Sequence, residues 1–515
     1  MAHNGVNFPP PYAPQGLSIK IAGRTITLSP FAEEMAYQMA KKRETVYIKD
    51  PAFCANFMGD FLPQLPDWCR GSRFEDVDLS ELFERADREK GAKDSMSKEQ
   101  EKSLAGERKA AREALKERFG FATLDGVRVE IANTTVEPPG LFIGRGQHPL
   151  RGRWKPRVMP EDVILNLDEA APIPPPGTWK EVVHDHSSIW IAKWIDKLTQ
   201  KEKYVWLHES APLQQSRNKA KYDNAAKVGK NLTRIRAKIQ SALDSKDRRE
   251  RQVATVCYLI DRLGMRVGDE KDEDEADTVG ASTLRVEHVR FDGNSVEFVF
   301  VGKDCVPWNK RDSPPAAVLN NLGEFMSGKN PSDEIFHEIN SGAVNDFLTS
   351  IVPGVTAKVF RTYHATAKAK NYLGSADMRT AKEHEKLYQA KEANLRAAIF
   401  CNHQRTPPKT WEQSLERKLK RLNDAQKKEK PNPERIAKLE MEVDFYRRTK
   451  NYNLTTSLKN YIDPRIYKTW CDYVGMDWTR IYSKSLQRKF SWVSQTRARW
   501  DAEGSQEAVP AQASA

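Results

Sequence analysis

Residues 213–252, LQQSRNKAKYDNAAKVGKNLTRIRAKIQSALDSKDRRERQ, hold twelve Lys/Arg against four Asp/Glu and contain no proline. Helix formers dominate, so a basic helical stretch is expected. Two readings fit it: a solvated helix face, or phosphate contact along a nucleic acid. The character of the chain changes here. Residues 1–212 read as a mixed α/β region, with a Lys/Glu/Ala-rich helix over 96–119 and strands over 127–131, 189–194 and 204–207. Proline clusters at Pro138-Pro139 and Pro174-Pro175-Pro176 mark loops. Downstream, 253–263 reads as a core helix. Strands are expected over 282–289 and 295–301, separated by the turn signal Asp292-Gly293-Asn294, and 316–400 is expected to be mostly helical.

In 411–450, Leu415, Leu419 and Leu422 are spaced 4 and 3, and Ile436, Leu439, Val443 and Tyr446 are spaced 3, 4 and 3. Pro431-Asn432-Pro433 between them breaks one helix and restarts another. An antiparallel coiled-coil hairpin is the natural reading. A compact segment over 454–500 follows, and the Ala/Ser/Gln/Glu-rich residues 503–515 are expected to be disordered.

The whole chain has 515 residues, which predicts about three domains. Its 83 Lys+Arg against 71 Asp+Glu give a net charge of +12. With 39% hydrophobic residues there is material for a sizeable core. No run approaches the ~18 apolar residues of a membrane span, and MAHNGVNFPPPYAP lacks the pattern of a secretory leader, so a membrane or exported protein is not expected. Cys54, Cys69, Cys257, Cys305, Cys401 and Cys471 show no CxxC pairing and read as buried small hydrophobes in a reducing compartment. Excess positive charge there favours a polyanionic partner. There is no GxxxxGK[ST] loop. His184-Asp185-His186 has no second cluster to complete a metal site, and the acidic run 269–275 lacks the glycine and spacing of a calcium loop.

Five dispersed residues have side chains suited to phosphoryl transfer without metal. They are Arg266 in GMRVGDEK, Lys303 in FVGKD, Arg361 in TAKVFRTYHA, His403 in CNHQRTPPKT and Tyr461 in SLKNYIDPR. Singly, each has an ordinary structural explanation. Together and in this order they resemble the active site of the eukaryotic-type type IB DNA topoisomerases. The resemblance extends over nearly the whole chain through EPPGLFIGRGQHP (137–149), MPEDVILN (159–166), PPPGTWKEV (174–182), DEADTVGASTLRVEHV (274–289) and KFSW (489–492).

The resemblance implies a mixed α+β multidomain fold, a bilobed DNA clamp. An α/β cap (1–212) would close over a mostly helical catalytic core related to tyrosine recombinases (213–410). A coiled-coil linker (411–450) would lead to a small helical C-terminal domain with the nucleophilic tyrosine (451–502), followed by the tail 503–515. Leu150-Arg151-Gly152 and the acidic loop after Gly268 would form matching lips. The implied activity is relaxation of positive and negative supercoils by transient cleavage of one strand, controlled rotation and religation, without ATP, metal or cofactor.

In that mechanism Tyr461 attacks the phosphodiester and forms a 3′-phosphotyrosyl link. A phenol titrates near ~10, so phenolate at pH 7 costs about 4 kcal/mol, and neighbouring cations must help. Arg266 and Arg361 would grip the nonbridging oxygens, neutral His403 would donate a further hydrogen bond, and Lys303 would protonate the departing 5′-oxygen. The resemblance also implies DNA contacts at Arg145, Gly146, His148, Asp304, Lys358, Lys459 and Asn460. Arg145, Asp304 and Asn460 match positions that bind intercalating camptothecin-type poisons, so sensitivity to them is expected.

The implied partner is double-stranded DNA with little sequence preference, bound by a monomer, with no membrane. The implied location is the nucleus, or a host nucleus or virion if the source is viral. The sequence departs from the family in placing Lys459 one residue late in Ser457-Leu458-Lys459-Asn460-Tyr461, in a shorter hairpin, and in lacking a long charged N-terminal region. The basic run 417–430 is the candidate import signal. Two rivals stay open: a tyrosine recombinase with a related residue set, and a catalytically silent DNA-binding clamp.

Overall fold

A computed structural model describes residues 1–268 and 278–501, with Asp304 described in its backbone alone. The acidic run 269–275, the lip expected there and the tail 503–515 lie outside the described residues. The described chain divides into two compact units, Met1–Gln214 and the chain from Gln215 onward. No described helix is long and apolar enough to cross a membrane.

After short strands at Ala2–His3, Ser18–Ile21 and Arg24–Thr27, the first unit carries helices α1 (Pro30–Ala40), α2 (Pro51–Phe61), α3 (Ser80–Asp94) and α4 (Lys98–Phe119). Ser29, Asp50 and Ser97 cap α1, α2 and α4 through their side chains, satisfying backbone N–H groups that the first turn leaves unpaired. The helix expected over 96–119 therefore begins two residues later, where Ser97 stops it. A four-stranded sheet follows, built from β1 (Val163–Asn166), β2 (Glu181–Val183), β3 (Trp190–Ile195) and β4 (Glu202–Trp206) in the order β2-β1-β3-β4. Only β1 and β2 run parallel.

Asp50 has a second partner. Arg151 Nε donates to it at 2.6 Å, and that guanidinium holds the Asp50 carboxyl below its usual range. A Cβ on Gly152, at φ +90, would lie 2.1 Å from the Phe53 carbonyl oxygen. The expected lip Leu150-Arg151-Gly152 is thus packed onto α2, with the Arg151 charge met inside its own unit.

The second unit contains α5 (Pro212–Leu243) and α6 (Arg248–Leu263), so the basic stretch is two helices, with Asp247 capping the second. Along α5, Ala225, Val228, Leu232, Ile235 and Ile239 are buried at helical spacing, while Arg217, Lys227, Lys230 and Arg234 are exposed. A three-stranded antiparallel sheet follows: β5 (Val289–Asp292), β6 (Ser295–Gly302) and β7 (Val306–Asp312).

The strand expected over 282–289 is corrected here. Val286–His288 is a 3-10 turn, because His288 Nδ1 accepts the Arg285 N–H at 3.0 Å, and β5 begins at Val289. The Asp292-Gly293-Asn294 turn is where the sequence put it, with Asp292 paired to Ser295. β7 was not anticipated. It carries Pro307 and is an edge strand, the place in a sheet where proline is tolerated. The cysteines are free, but Cys305 is half-exposed at φ 56 in the turn between β6 and β7, not buried like the other five.

Helices α7 (Ala316–Met326), α8 (Ser341–Ile351), α9 (Ala357–Leu373) and α10 (Glu383–Phe400) complete this body. α9 and α10 pack through Ala365, Ala369, Ala390, Ala393 and Ala397, small side chains that let the backbones approach closely. α11 (Trp411–Gln426) and α12 (Pro433–Arg448) run antiparallel, with Trp411 stacked on Tyr446 and Gln426 bonded to Glu440. Asn432 caps α12 and Pro433 opens it. Leu439 and Val443, on a helix that also packs against α10, are buried, whereas Leu415, Leu419 and Leu422 are only half-buried. α13 (Leu454–Asn460) and α14 (Pro464–Val474) follow.

Gly264 ends α6 in the left-handed conformation, φ 69. A Cβ there would lie 2.9 Å from the Phe400 carbonyl oxygen and 2.9 Å from its ring. Gly264→Ala is expected to cost about 2 kcal/mol or more of stability in urea unfolding, from backbone strain plus overpacking. A change under about 0.5 kcal/mol would show that the two helix ends do not need this close approach.

Candidate active site

Arg361 lies on the second turn of α9, a helix whose first turn is fixed by Asn345 Oδ1 accepting the Ala357 N–H. Its guanidinium is buried and bridges two helix ends. Nε donates to the Gly264 carbonyl at 2.9 Å and Nη2 to the Cys401 carbonyl at 3.0 Å. These carbonyls sit at the negative ends of α6 and α10, where a cation is favoured. The third arm, Nη1, reaches the Tyr461 hydroxyl at 3.2 Å.

Tyr461 is the residue at which α13 ends. Asn453 caps the start of that short helix, and buried Ser457 anchors it through Asn394 at 2.7 Å. Thr366 on α9 accepts the Asp463 N–H at 3.0 Å and donates to the Tyr461 carbonyl at 3.2 Å. The tyrosine backbone is thereby tied to the helix that carries Arg361. Lys221 of α5 donates to the Asn460 carbonyl at 3.0 Å.

His403 follows α10 through Cys401 and left-handed Asn402 (φ 51), with its own N–H returned to the Ala398 carbonyl. Its ring lies 4.8 Å from the Tyr461 ring, tilted by 48°. It is 4% exposed, and neither ring nitrogen has a hydrogen-bond partner among the described residues. Burial, with Arg361 and Arg266 beside it, pushes the imidazole down to about 3, so it is neutral at physiological pH. Arg266, two residues past Gly264, interacts with the same hydroxyl. Burial and the Arg361 charge hold it below the usual guanidinium range, and Tyr461 opposes them.

Two guanidiniums and an unpartnered neutral imidazole therefore converge on one phenol. Neither guanidinium has a carboxylate partner among the described residues. Burying positive charge without a counterion is costly, so such a cluster is poised for an anion with several acceptor oxygens, such as a phosphodiester.

The fold brings together Arg266, Arg361, His403 and Tyr461, but not Lys303. That lysine is exposed in the turn Lys303–Cys305 between β6 and β7, with no ion pair among the described residues. Asp304 shares the turn. Lys358 lies exposed one turn before Arg361 on α9, and Lys459 and Asn460 are in the last turn of α13. Arg145, Gly146 and His148 belong to the first unit, in a loop where Gly144 and Gly146 take φ 65 and 60. There His148 Nδ1 accepts the Leu150 N–H, and Arg145 is exposed. His184 is bonded to the Leu167 carbonyl and Asp185 to Ser187. Sequence reasoning missed Thr366, Asn394 and Lys310. Their side chains act on backbone or hydroxyl groups 47 to 97 positions away, and no local pattern announces that.

Three family descriptions tile the chain. "Eukaryotic DNA topoisomerase I, DNA binding fragment" matches residues 1–207, "Eukaryotic DNA topoisomerase I, catalytic core" matches 210–436, and "C-terminal topoisomerase domain" matches 433–502. The chain is 37% identical to DNA topoisomerase 1 beta of Arabidopsis thaliana, over 96% of this chain and 58% of that protein. It is 34% identical to DNA topoisomerase 1 of Rattus norvegicus, over 96% and 70%, and 36% identical to that of Drosophila melanogaster, over 96% and 54%. The chain thus spans little more than half the length of the plant and insect relatives.

The buried imidazole predicts an acid response. His403 titrates near about 3 in the fold against 6.5 when exposed, so between those values the unfolded chain binds the extra proton. Stability is therefore lost as pH falls from about 6.5 towards 3. His3, pushed down to about 4 by burial, acts with the same sign, so comparison with His403→Gln isolates His403. The variant is expected to lose about 1.5 kcal/mol less than the wild type between about pH 6.5 and 5 in denaturant melts. Equal losses would mean that His403 carries its proton in the fold.

Proposed function

Because the chain belongs to the eukaryotic DNA topoisomerase I family, we propose that it is a type IB DNA topoisomerase that relaxes supercoils of both signs without ATP or metal. The observation that carries this reading is the Tyr461 hydroxyl, 3.2 Å from a buried Arg361 and flanked by Arg266 and neutral His403. In this reading the Tyr461 hydroxyl gives up its proton to solvent as its oxygen attacks the phosphorus of one strand. A 3′-phosphotyrosyl bond forms, the bond to the 5′-oxygen breaks, and Lys303 supplies the proton that this oxygen takes up.

Negative charge grows on the nonbridging oxygens as the pentacoordinate state forms. Arg266, Arg361 and the open N–H of His403 meet that charge with donors already in place. His403 is suited to donate because it is neutral and both its nitrogens are unpartnered. The phosphotyrosyl link keeps the energy of the broken bond, so religation is the reverse step and needs no ATP. Between the two steps, torque turns the free end of the duplex.

The two units are read as lobes that hold the DNA, and the exposed cations of α5 as contacts to its phosphates. Such contacts position without reading sequence, and binding is expected to weaken steeply with salt. α11 and α12 serve as the linker beside the rotating DNA. Arg145, Gly146, His148, Asp304, Lys358, Lys459 and Asn460 line the DNA in this reading, and Arg145, Asp304 and Asn460 admit camptothecin-type intercalators.

The deciding experiment is relaxation of a supercoiled plasmid with EDTA present and ATP absent, comparing the chain with Tyr461→Phe. Relaxation by the wild type and a loss of at least about 10³-fold in the variant are expected, since only the nucleophilic oxygen is removed. Relaxation by both would put the nucleophile elsewhere. Binding without relaxation by either would favour the silent clamp, and a requirement for a defined site would favour a recombinase. A camptothecin-type drug is expected to increase the covalent complex on denaturing gels; no increase would remove that part of the reading.

A further inference from the structure

Lys310 sits half-buried in β7, with its ammonium group turned to backbone carbonyls. It donates to the Leu263 carbonyl at 2.7 Å and to the Phe400 carbonyl at 2.8 Å. These are the last helical residues of α6 and α10. The next residue in each case, Gly264 and Cys401, supplies the carbonyl that holds Arg361. Two cations from different elements thus span the same pair of helix ends, one residue apart. Resting on the proposed topoisomerase reaction, we infer that Lys310 is a positioning residue for the covalent step: by tying the carboxyl ends of α6 and α10 together, it sets the spacing at which Arg361, Arg266 and His403 meet Tyr461.

Several observations support a role beyond ordinary packing. Leu263 leads within three residues to Arg266, and Phe400 within three to His403, so a shift of either helix end moves two of the converging groups. The contact is tight, because the ring and carbonyl oxygen of Phe400 leave no room for a Cβ on Gly264. Lys310 has no ion-pair partner among the described residues. Its neighbour in the strand, Asp312, is bonded to Arg262 and Tyr258. Burial pushes the Lys310 ammonium down to about 8; the Cys401 thiol opposes this, and Arg361 and Lys368 add to it. A charge in such surroundings is retained for its two carbonyl contacts, with the negative helix ends in place of a carboxylate.

A cavity of about 750 Å³ opens beside it, lined by Lys310, Asn309, Lys368, Asn371, Phe400 and Asn402 among others. Small solutes can therefore reach the space that a shortened side chain would leave.

The test uses the full chain with Lys310→Ala and Lys310→Met, and measures three quantities. These are the rate of covalent-complex formation on a nicked suicide duplex in single turnover, the affinity for an intact duplex, and the unfolding midpoint. Both variants are expected to form the complex about 10- to 100-fold more slowly, with duplex affinity within about twofold of wild type, because the misplacement is felt in the transition state rather than in phosphate binding. In Lys310→Ala, n-propylammonium chloride is expected to restore at least about fivefold of the rate, while sodium chloride at equal concentration restores none.

A covalent rate within about twofold of wild type in both variants would overturn the inference. So would a fall in rate, affinity and unfolding midpoint together with no rescue by the amine, which would make Lys310 a staple of the fold alone. Failure of the wild-type chain to form any covalent complex is a different result: it would sink the topoisomerase reading, and the positioning role with it.

Discussion

Arg361 is held between the carboxyl ends of two helices by backbone carbonyls, and the arrangement around Tyr461 depends on that suspension. A carboxylate would grip the guanidinium more strongly, but it would also neutralise it and compete with an incoming phosphate. Carbonyls at helix ends supply partial negative charge in fixed directions and leave the net charge in place. Two of the three guanidinium nitrogens are used this way. The third points at Tyr461, so the orientation of the functional arm follows from the placement of the other two.

That arrangement sets conditions on what surrounds it. α6 must end where its last carbonyls face those of α10, which requires Gly264 in a left-handed conformation against Phe400. α9 and α10 must approach closely, which their alanines allow. The tyrosine loop must stay in register with α9, and Thr366 provides this by bonding on both sides of Ile462. Each condition is met by an ordinary packing or backbone device. The outcome is a buried surplus of positive charge around one phenol, a state that DNA phosphate would relieve.

The basic helix α5 serves the same electrostatics at longer range. Its apolar stripe fixes it to the core, and its outer face keeps Arg217, Lys227, Lys230 and Arg234 in water. One cation from this helix, Lys221, turns to the Asn460 carbonyl beside the tyrosine. A helix whose charges would attract a duplex is thus also bonded to the segment proposed to cut it.

Much of this was legible in the residues, and the division follows a physical line. The turn at Asp292-Gly293-Asn294, the restart at Pro433 and the apolar stripe of α5 are local, written in side chains a few positions apart. The motifs around Arg266, Arg361, His403 and Tyr461 named the residues and, by resemblance, their chemistry. Where local pattern met a competing local bond the reading failed, as at His288, whose ring turned an expected strand into a 3-10 turn. Cys305 was misread because a turn between two strands, not hydrophobicity, decided its exposure. The sequence alone determined which groups could take part and in which order along the chain. Only the tertiary structure decided that His403 is buried with both ring nitrogens unpartnered among the described residues, that Arg361 rests on carbonyls, and that Lys310 ties the same helix ends, because each depends on the burial and distance of groups that the chain keeps far apart and folding brings together.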